Sequence, residues 1–226
     1  MTGIFLTGTD TEIGKTQVAC ALLNTFNKQN INAVGMKPVA SGAECIDGQW
    51  HNEDALRLMK ASSVQLAYNL INPYLFKTPA SPHIAAAIEH KTINLDKVVD
   101  CYNLIEKQSG FVVVEGVGGW LAPLNDDQTV EDMALALQLP VVLVVGMRLG
   151  CLNHALLTAN RIQQSGLKLA GWIANVIDDN FSFLDKNMNT LVTGINAPLI
   201  GQLKFSEKQF NRIYEKSISL LARTDK

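Results

Sequence analysis

Along this chain, short stretches in which every position is apolar alternate with longer ones in which apolar residues return every third or fourth position. Ile4-Phe5-Leu6 is followed by a helical pattern with Val18, Leu22 and Phe26 on one face and Ala19 and Leu23 beside them. Ala33–Val39 reads as a second buried strand that carries one charge, Lys37. A polar, glycine-containing stretch from Ser41 to His51 leads to Asn52, the expected N-cap of a helix containing Leu56 and Met59. Residues 61–80 look irregular, with Pro73, Pro79 and Pro82 as punctuation, before helices over Ser81–His90 and Leu95–Lys107.

The second half repeats one unit. Phe111–Glu115 is β-branched and apolar on both faces, as a central parallel strand covered on both sides must be. Helix Val130–Gln138, strand Val141–Val145, a Gly150–Asn153 turn, helix Ala155–Gln164 and strand Leu169–Val176 follow. A helix over Ser182–Thr193, a short strand Pro198–Leu203 and an amphipathic helix over Glu207–Ala222 complete the expectation. Such alternation predicts one α/β domain over residues 1–226, with a doubly wound, mainly parallel sheet of about seven strands and helices on both faces. Right-handed crossovers then gather the loops at 8–16, 37–41, 115–119, 146–153 and 175–178 on one rim.

Chemistry enters at the first of these loops. Gly8-Thr9-Asp10-Thr11-Glu12-Ile13-Gly14-Lys15-Thr16 sits between a strand and a helix, the context of a phosphate-binding loop. Its glycines stand one residue further apart than in the usual pattern, but the Gly14-Lys15-Thr16 end is intact. Backbone N–H groups there favour an anion; Lys15 would reach the outer phosphates and the Thr16 hydroxyl would sit on Mg²⁺. This makes the fold P-loop NTPase-like.

Three further charges fall on the same rim. Lys37, in an apolar strand, must reach solvent or meet an anion; Pro38 ends sheet pairing and puts Lys37 at the ligand-binding end of the strand. Asp54 lies in a first helical turn, where an acid serves the helix dipole even without a ligand. Glu115 ends a central strand before Gly116, Gly118 and Gly119, where P-loop proteins usually place an acid toward Mg²⁺. Asn175, at another strand end, reads from the sequence alone as a turn cap.

Composition narrows the partners. The 226 residues are 47% hydrophobic and 18% charged, enough apolar material for a core. A net charge of −2 with no basic block disfavours nucleic acid. Apolar runs such as Leu139–Val145 are far short of the roughly 20 residues of a membrane span. Cys20, Cys45, Cys101 and Cys151 show no zinc-ligand spacing. With no secretory leader, the chain is expected to be soluble, cytoplasmic and reduced.

With Gly8–Thr16, Lys37-Pro38-Val39, Val114–Trp120 and Leu149–Ala155 in view, the chain resembles the dethiobiotin synthetases from residue 1 to about 203. Asn52–Leu56, Asn72-Pro73-Tyr74 and Ser81-Pro82-His83 also look like that family's pattern. The resemblance implies ATP- and Mg²⁺-dependent closure of a ureido ring from 7,8-diaminononanoate and CO₂, through a carbamate and a carbamic–phosphoric anhydride. It implies Lys15 and Lys37 as catalytic cations and Thr16, Asp54 and Glu115 as metal ligands. It implies nucleotide contacts from Glu12, Ile13, Gly14, Lys15, Thr16, Gln17, Asp54, Glu115, Gly116, Val117 and Gly118, with Asn175 and Val176 at the adenine. Thr11 and Ser41 would touch the diamine. Gly150, Cys151, Leu152 and Asn153 would bind its carboxylate across a homodimer interface. Lys204-Phe205-Ser206 aligns loosely with another base-contacting segment. Val117 stands where the family often has Ala.

Two other P-loop readings fit less well. Switch ATPases of the partition class carry an extra lysine early in the loop, where positions 9–13 here hold none. Small-molecule kinases close an arginine-rich lid, whereas Arg57, Arg148, Arg161, Arg212 and Arg223 are dispersed.

Overall fold

The computed structural model describes residues 2–204, 210, 212–213 and 221. The chain runs β1 (Gly3–Gly8), α1 (Lys15–Lys28), β2 (Ala33–Met36), β3 (Val39–Ser41), β4 (Glu44–Ile46), β5 (Gln49–His51) and α2 (Glu53–Ala61). It continues with α3 (Tyr68–Ile71), β6 (Tyr74–Phe76), α4 (Pro82–Ile88), α5 (Leu95–Glu106), β7 (Phe111–Glu115) and α6 (Val130–Leu137). Then come β8 (Val141–Met147), α7 (Cys151–Gln164), β9 (Leu169–Val176), α8 (Leu184–Gly194), β10 (Leu199–Lys204) and β11 (Arg212–Ile213).

Seven strands form one sheet in the order β11-β10-β9-β8-β1-β7-β2. Every neighbouring pair is parallel except β10 and β11. The two-residue period of the strands divides the core between the two faces. Phe5, Val112, Val114, Leu143 and Trp172 point to the face covered by α5, α6, α7 and α8. Ile4, Leu6, Val113, Val142 and Ile173 point to the other, which α1 and Leu58 of α2 cover. This is the doubly wound arrangement the alternation predicts.

Where the elements differ from expectation, local chemistry gives the reason. The strand expected over Ala33–Val39 leaves the main sheet after Met36, because the Lys37 N–H donates to Ile71 O (2.9 Å) and Pro38 has no N–H to donate. Val39–Ser41 pairs instead with Tyr74–Phe76 in a small parallel sheet, so residues 61–80 are less irregular than they look. Within the polar stretch, Glu44–Ile46 and Gln49–His51 form a hairpin about Asp47-Gly48, both left-handed with φ of 50° and 79°. Asp-Gly is the dipeptide such a two-residue turn requires. Helix α7 begins at Cys151 and not at Ala155; Gly150, at φ 92°, precedes it, and residues 151–153 are its first turn. The helix expected over Glu207–Ala222 falls almost wholly outside the described residues, and the part that is described includes strand at Arg212–Ile213. Among the described residues no helix is long and apolar enough to cross a membrane.

Candidate functional site

The carboxyl ends of β1, β7 and β2, adjacent in the sheet, open into a cleft of about 790 Å³. Of the residues singled out from the sequence, Thr11, Glu12, Gly14, Lys15, Thr16 and Gln17 line it from the first loop. Lys37, Ser41 and Asp54 line it from the second strand and α2, and Glu115, Val117 and Gly118 from the end of β7. Segments far apart in sequence therefore meet because their strands are neighbours.

The phosphate-loop candidate is held in an unusual conformation. Glu12 is left-handed (φ 58°), which a side chain with a Cβ adopts at a cost, and Gly14 (φ 81°) turns the chain into α1. Lys15, at the first helical position, curls back and donates to the Asp10 carbonyl at 2.7 Å. Asp10 in turn accepts from the Thr11 N–H (2.8 Å) and from Arg148 Nη2 (2.5 Å), tying this loop to the one before α7. Burial and the nearby Lys37 charge together push the Lys15 ammonium down to about 8.

Beside it lies a buried charge cluster. Lys37 Nζ donates to Glu115 Oε1 at 2.6 Å and to Asp54 Oδ2 at 3.1 Å. Thr16 Oγ1 donates to the same Glu115 oxygen at 2.7 Å. Lys37 and Glu115 are 4% and 1% exposed, so neither has bulk water to balance its charge. Burial alone would lower the Lys37 pKa, but Glu115 and Asp54 outweigh it and hold the ammonium above its ordinary value. Burial likewise opposes ionisation of Asp54, and Lys37, with Thr16 and Arg57, holds it below the ordinary carboxylate range.

A scaffold of polar side chains fixes the geometry. Asn52 caps α2 by accepting from the Ala55 N–H (3.3 Å), which sets Asp54 in the first turn. The Asn52 N–H donates to Tyr68 Oη (2.8 Å), and that hydroxyl donates to Asn72 Oδ1 (3.0 Å). Asn72 Nδ2 then donates to the Lys37 carbonyl (2.7 Å). The backbone that carries Lys37 and the helix that carries Asp54 are thus joined by one hydrogen-bonded chain. Asn72 is 3% exposed, so these bonds are not shared with water.

The donor set suits a hard divalent cation: a hydroxyl and two carboxylates converge, and Glu115 Oε2 is buried with no hydrogen-bond partner among the described residues. A buried anionic oxygen without a donor is an energetic liability unless a cation meets it.

Other sequence candidates lie outside the cleft lining. Ile13 and Val176 are buried. Gly116 packs tightly, since a Cβ there would stand 3.2 Å from Phe5 and 3.3 Å from Val130. Asn175 is fully buried and donates to the Ile13 carbonyl at 2.7 Å, while its Oδ1 has no partner among the described residues. Gly150, Cys151, Leu152 and Asn153 form the start of α7 beyond the Asp10–Arg148 pair, Asn153 exposed and Cys151 buried. Of Lys204-Phe205-Ser206, the Lys204 carbonyl accepts from Gln17 Nε2 (2.8 Å), and residues 205–206 lie outside the described residues.

The cleft also uses residues the sequence did not mark as functional: Ala40, Asn52, Arg57 and Ile177. Two had a usable signal. Arg57 follows Asp54 by three residues, on the same helical face, and Ile177 directly follows the flagged strand end at Val176.

Comparison with known proteins bears on the family and the fold. The family model described as an AAA domain matches residues 2–209. The ATP-dependent dethiobiotin synthetase BioD of Aromatoleum aromaticum is 52% identical over 197 residues, 87% of this chain and 88% of that protein. Among solved structures, a ParA family ATPase from Chlorobium tepidum superposes with a TM-score of 0.56 at 14% identity, over 97% of this chain and 88% of that one. Chloroplast FtsY from Physcomitrella patens gives 0.55 at 16% identity, over 98% of this chain and 65% of that one. At such identities these two show a shared P-loop NTPase-like fold and nothing more.

Replacing Lys37 by Met leaves Glu115 and Asp54 as uncompensated charges, and we expect a loss of about 3 kcal/mol of stability at pH 8. The sign with pH follows from the carboxylates. In the variant burial acts on Asp54 without Lys37 to oppose it and raises its folded pKa above the unfolded one, so the loss shrinks as pH falls from that raised value toward the unfolded value of about 4. Urea unfolding of both proteins at pH 8 and pH 4 checks this; a difference that is small at pH 8 or independent of pH contradicts the charge cluster.

Proposed function

The chain belongs to the dethiobiotin synthetase family, ATP-dependent enzymes of biotin biosynthesis, and from that premise we propose that it carboxylates 7,8-diaminononanoate and closes the ureido ring of dethiobiotin. The observation that carries the proposal is the meeting of Lys15, Thr16, Lys37, Asp54 and Glu115 in one cleft at the end of β1, β7 and β2. In this reading residues 1–226 act as a single P-loop α/β domain.

One amine of the diamine adds to CO₂ and loses a proton, giving a carbamate. A carbamate oxygen attacks the γ-phosphorus of ATP, ADP departs, and a carbamic–phosphoric anhydride is left. The second amine attacks the carbonyl carbon, orthophosphate leaves, and loss of a proton completes the ring. Little covalent work falls to the protein; positioning and charge do most of it. Lys15 and Lys37 act on the transferring phosphoryl group, and Lys37 also meets the carbamate. The N–H groups of Glu12, Ile13, Gly14, Lys15, Thr16 and Gln17 cradle the phosphates. Gly116, Val117 and Gly118 let the β7 loop pass close to them, with Glu115 and Asp54 alongside.

Thr16, Asp54 and Glu115 would hold Mg²⁺, and the unpartnered Glu115 Oε2 supports that assignment. The ion's contribution when bound is neutralisation of phosphate charge. Asn175 and Val176 are assigned to the base end of the nucleotide, because Ile177 beside them lines the cleft and Asn175 Oδ1 remains free to accept. Thr11 and Ser41, on the cleft wall, are assigned to the diamine.

The start of α7, residues 150–153, is assigned to the carboxylate of the diamine; of its N–H groups, that of Cys151 donates to the Arg148 carbonyl at 3.0 Å. Leu149 and Leu157, 90% and 61% exposed, flank that turn and support a homodimer in which a second copy covers them. The proposed setting is the cytoplasm.

Phosphate release from MgATP should require both the diamine and bicarbonate. Release with neither, or with a protein or nucleic-acid partner in their place, contradicts a carboxylating ligase. A second expectation comes from Lys15. Burial and the Lys37 charge push its ammonium down to about 8 in the free protein, and bound phosphates raise it. MgATP binding should therefore take up a fraction of a proton at pH 8 and less at pH 6.5. Calorimetry in buffers of different ionisation enthalpy measures this; no uptake at pH 8 would place the phosphates away from Lys15.

A further inference from the structure

Behind the main cleft lies a second cavity of about 350 Å³, between one face of α1 (Gln17, Cys20, Asn24) and one face of α2 (Arg57, Lys60, Ala61). Gln17 and Arg57 line both spaces, so these two side chains stand at the boundary between them. We propose that Arg57, at this junction, forms a phosphate oxyanion subsite with the side cavity behind it. Its ligand is either the γ-phosphoryl group of bound ATP or the orthophosphate released after transfer.

Three observations carry this. First, Arg57 is the cleft cation with no hydrogen bond or ion pair of its guanidinium among the described residues, although its charge is felt at Asp54. Lys15 is bonded to the Asp10 carbonyl and Lys37 to two carboxylates, whereas the Arg57 guanidinium makes no hydrogen bond or ion pair there. Second, an obvious partner is passed over. Glu53 stands four residues earlier on α2, the favourable orientation for a helical ion pair, yet the two side chains do not pair. Third, the backbone beneath Arg57 is fixed, because Cys20 Sγ donates to its carbonyl at 3.6 Å. Burial pushes that thiol up to about 11, so it stays neutral and adds no anion that would compete with a ligand.

The chemistry of the pocket selects the ligand class. A planar guanidinium binds phosphate through two parallel N–H donors, and Lys60 and Asn24 add a second cation and an amide group. Arg57 is also charged at every accessible pH.

The inference rests on the nucleotide reading above, and its test separates the two. ATP and ADP affinities, and inhibition by orthophosphate with ADP present, are measured for the wild type, Arg57→Ala, Arg57→Lys and Lys15→Ala. Arg57 is exposed, so Arg57→Ala should fold normally by circular dichroism. If the γ-phosphoryl group is the ligand, Arg57→Ala weakens ATP about tenfold while ADP is unchanged, and Arg57→Lys recovers part of the loss. If free orthophosphate is the ligand, the ATP-to-ADP ratio is unchanged and orthophosphate inhibition weakens about tenfold. Arg57→Ala matching the wild type in both, while Lys15→Ala loses nucleotide, overturns the subsite and leaves the phosphate loop standing. A wild type that binds no ATP overturns both.

Discussion

The contact on which the site depends is the one between Lys37 and the two carboxylates of Glu115 and Asp54. Taking an ammonium and a carboxylate out of water costs several kcal/mol each, and only close pairing with hydrogen bonds offsets that. The distances of 2.6 and 3.1 Å meet that requirement, and Thr16 adds a second donor to Glu115. The constraint works in both directions. None of the three charges tolerates loss of its partner, so the elements that carry them are held in register: the exit of β2, the tip of β7 and the first turn of α2. A cluster of one ammonium and two carboxylates is also poised for chemistry, since its charges can be redistributed when a polyanion and a divalent cation enter.

The sheet order makes this contact possible. Lys15 and Thr16 follow β1, Glu115 ends β7 and Lys37 leaves β2, and β1, β7 and β2 are consecutive in the sheet. The remaining step is how α2 is delivered. It packs on the α1 face through Leu58, close above β2, where a Cβ on Gly35 would lie 2.9 Å from Leu58 Cβ. With no Cβ there, α2 comes close enough for Asp54 to reach Lys37. The Asn52–Tyr68–Asn72 chain then fixes the remaining freedom.

The fold was largely legible because it is encoded in periodicity. Apolar runs at Phe111–Val114 and Val141–Val145 and the helical spacing of Val18, Leu22 and Phe26 admit few alternatives. The phosphate-loop candidate stood out in the sequence because glycine, lysine and threonine at that spacing have a mechanical meaning between a strand and a helix. Lys37 and Asp54 stayed ambiguous until the fold was known. A strand-end lysine and a first-turn acid each have an ordinary explanation, and their pairing depends on how α2 docks. The Asn52–Tyr68–Asn72 chain, the exit of Val39–Ser41 to a second sheet and the place of Arg57 follow no period at all. Asp47-Gly48 did carry a hairpin signal, in a stretch otherwise too polar to suggest strands.

The central claim is that a carbamate oxygen, brought beside Lys15 and Lys37, attacks the γ-phosphorus of ATP. It is tested most directly by following oxygen from CO₂. In the proposed sequence the attacking oxygen stays with phosphorus when the second amine closes the ring. Turnover with ¹⁸O-labelled CO₂ should therefore place one label in each orthophosphate, after correction for exchange of CO₂ with water. Orthophosphate free of label, from turnovers that do yield the ring, would mean that phosphate leaves ATP by another route and would contradict this account of the site.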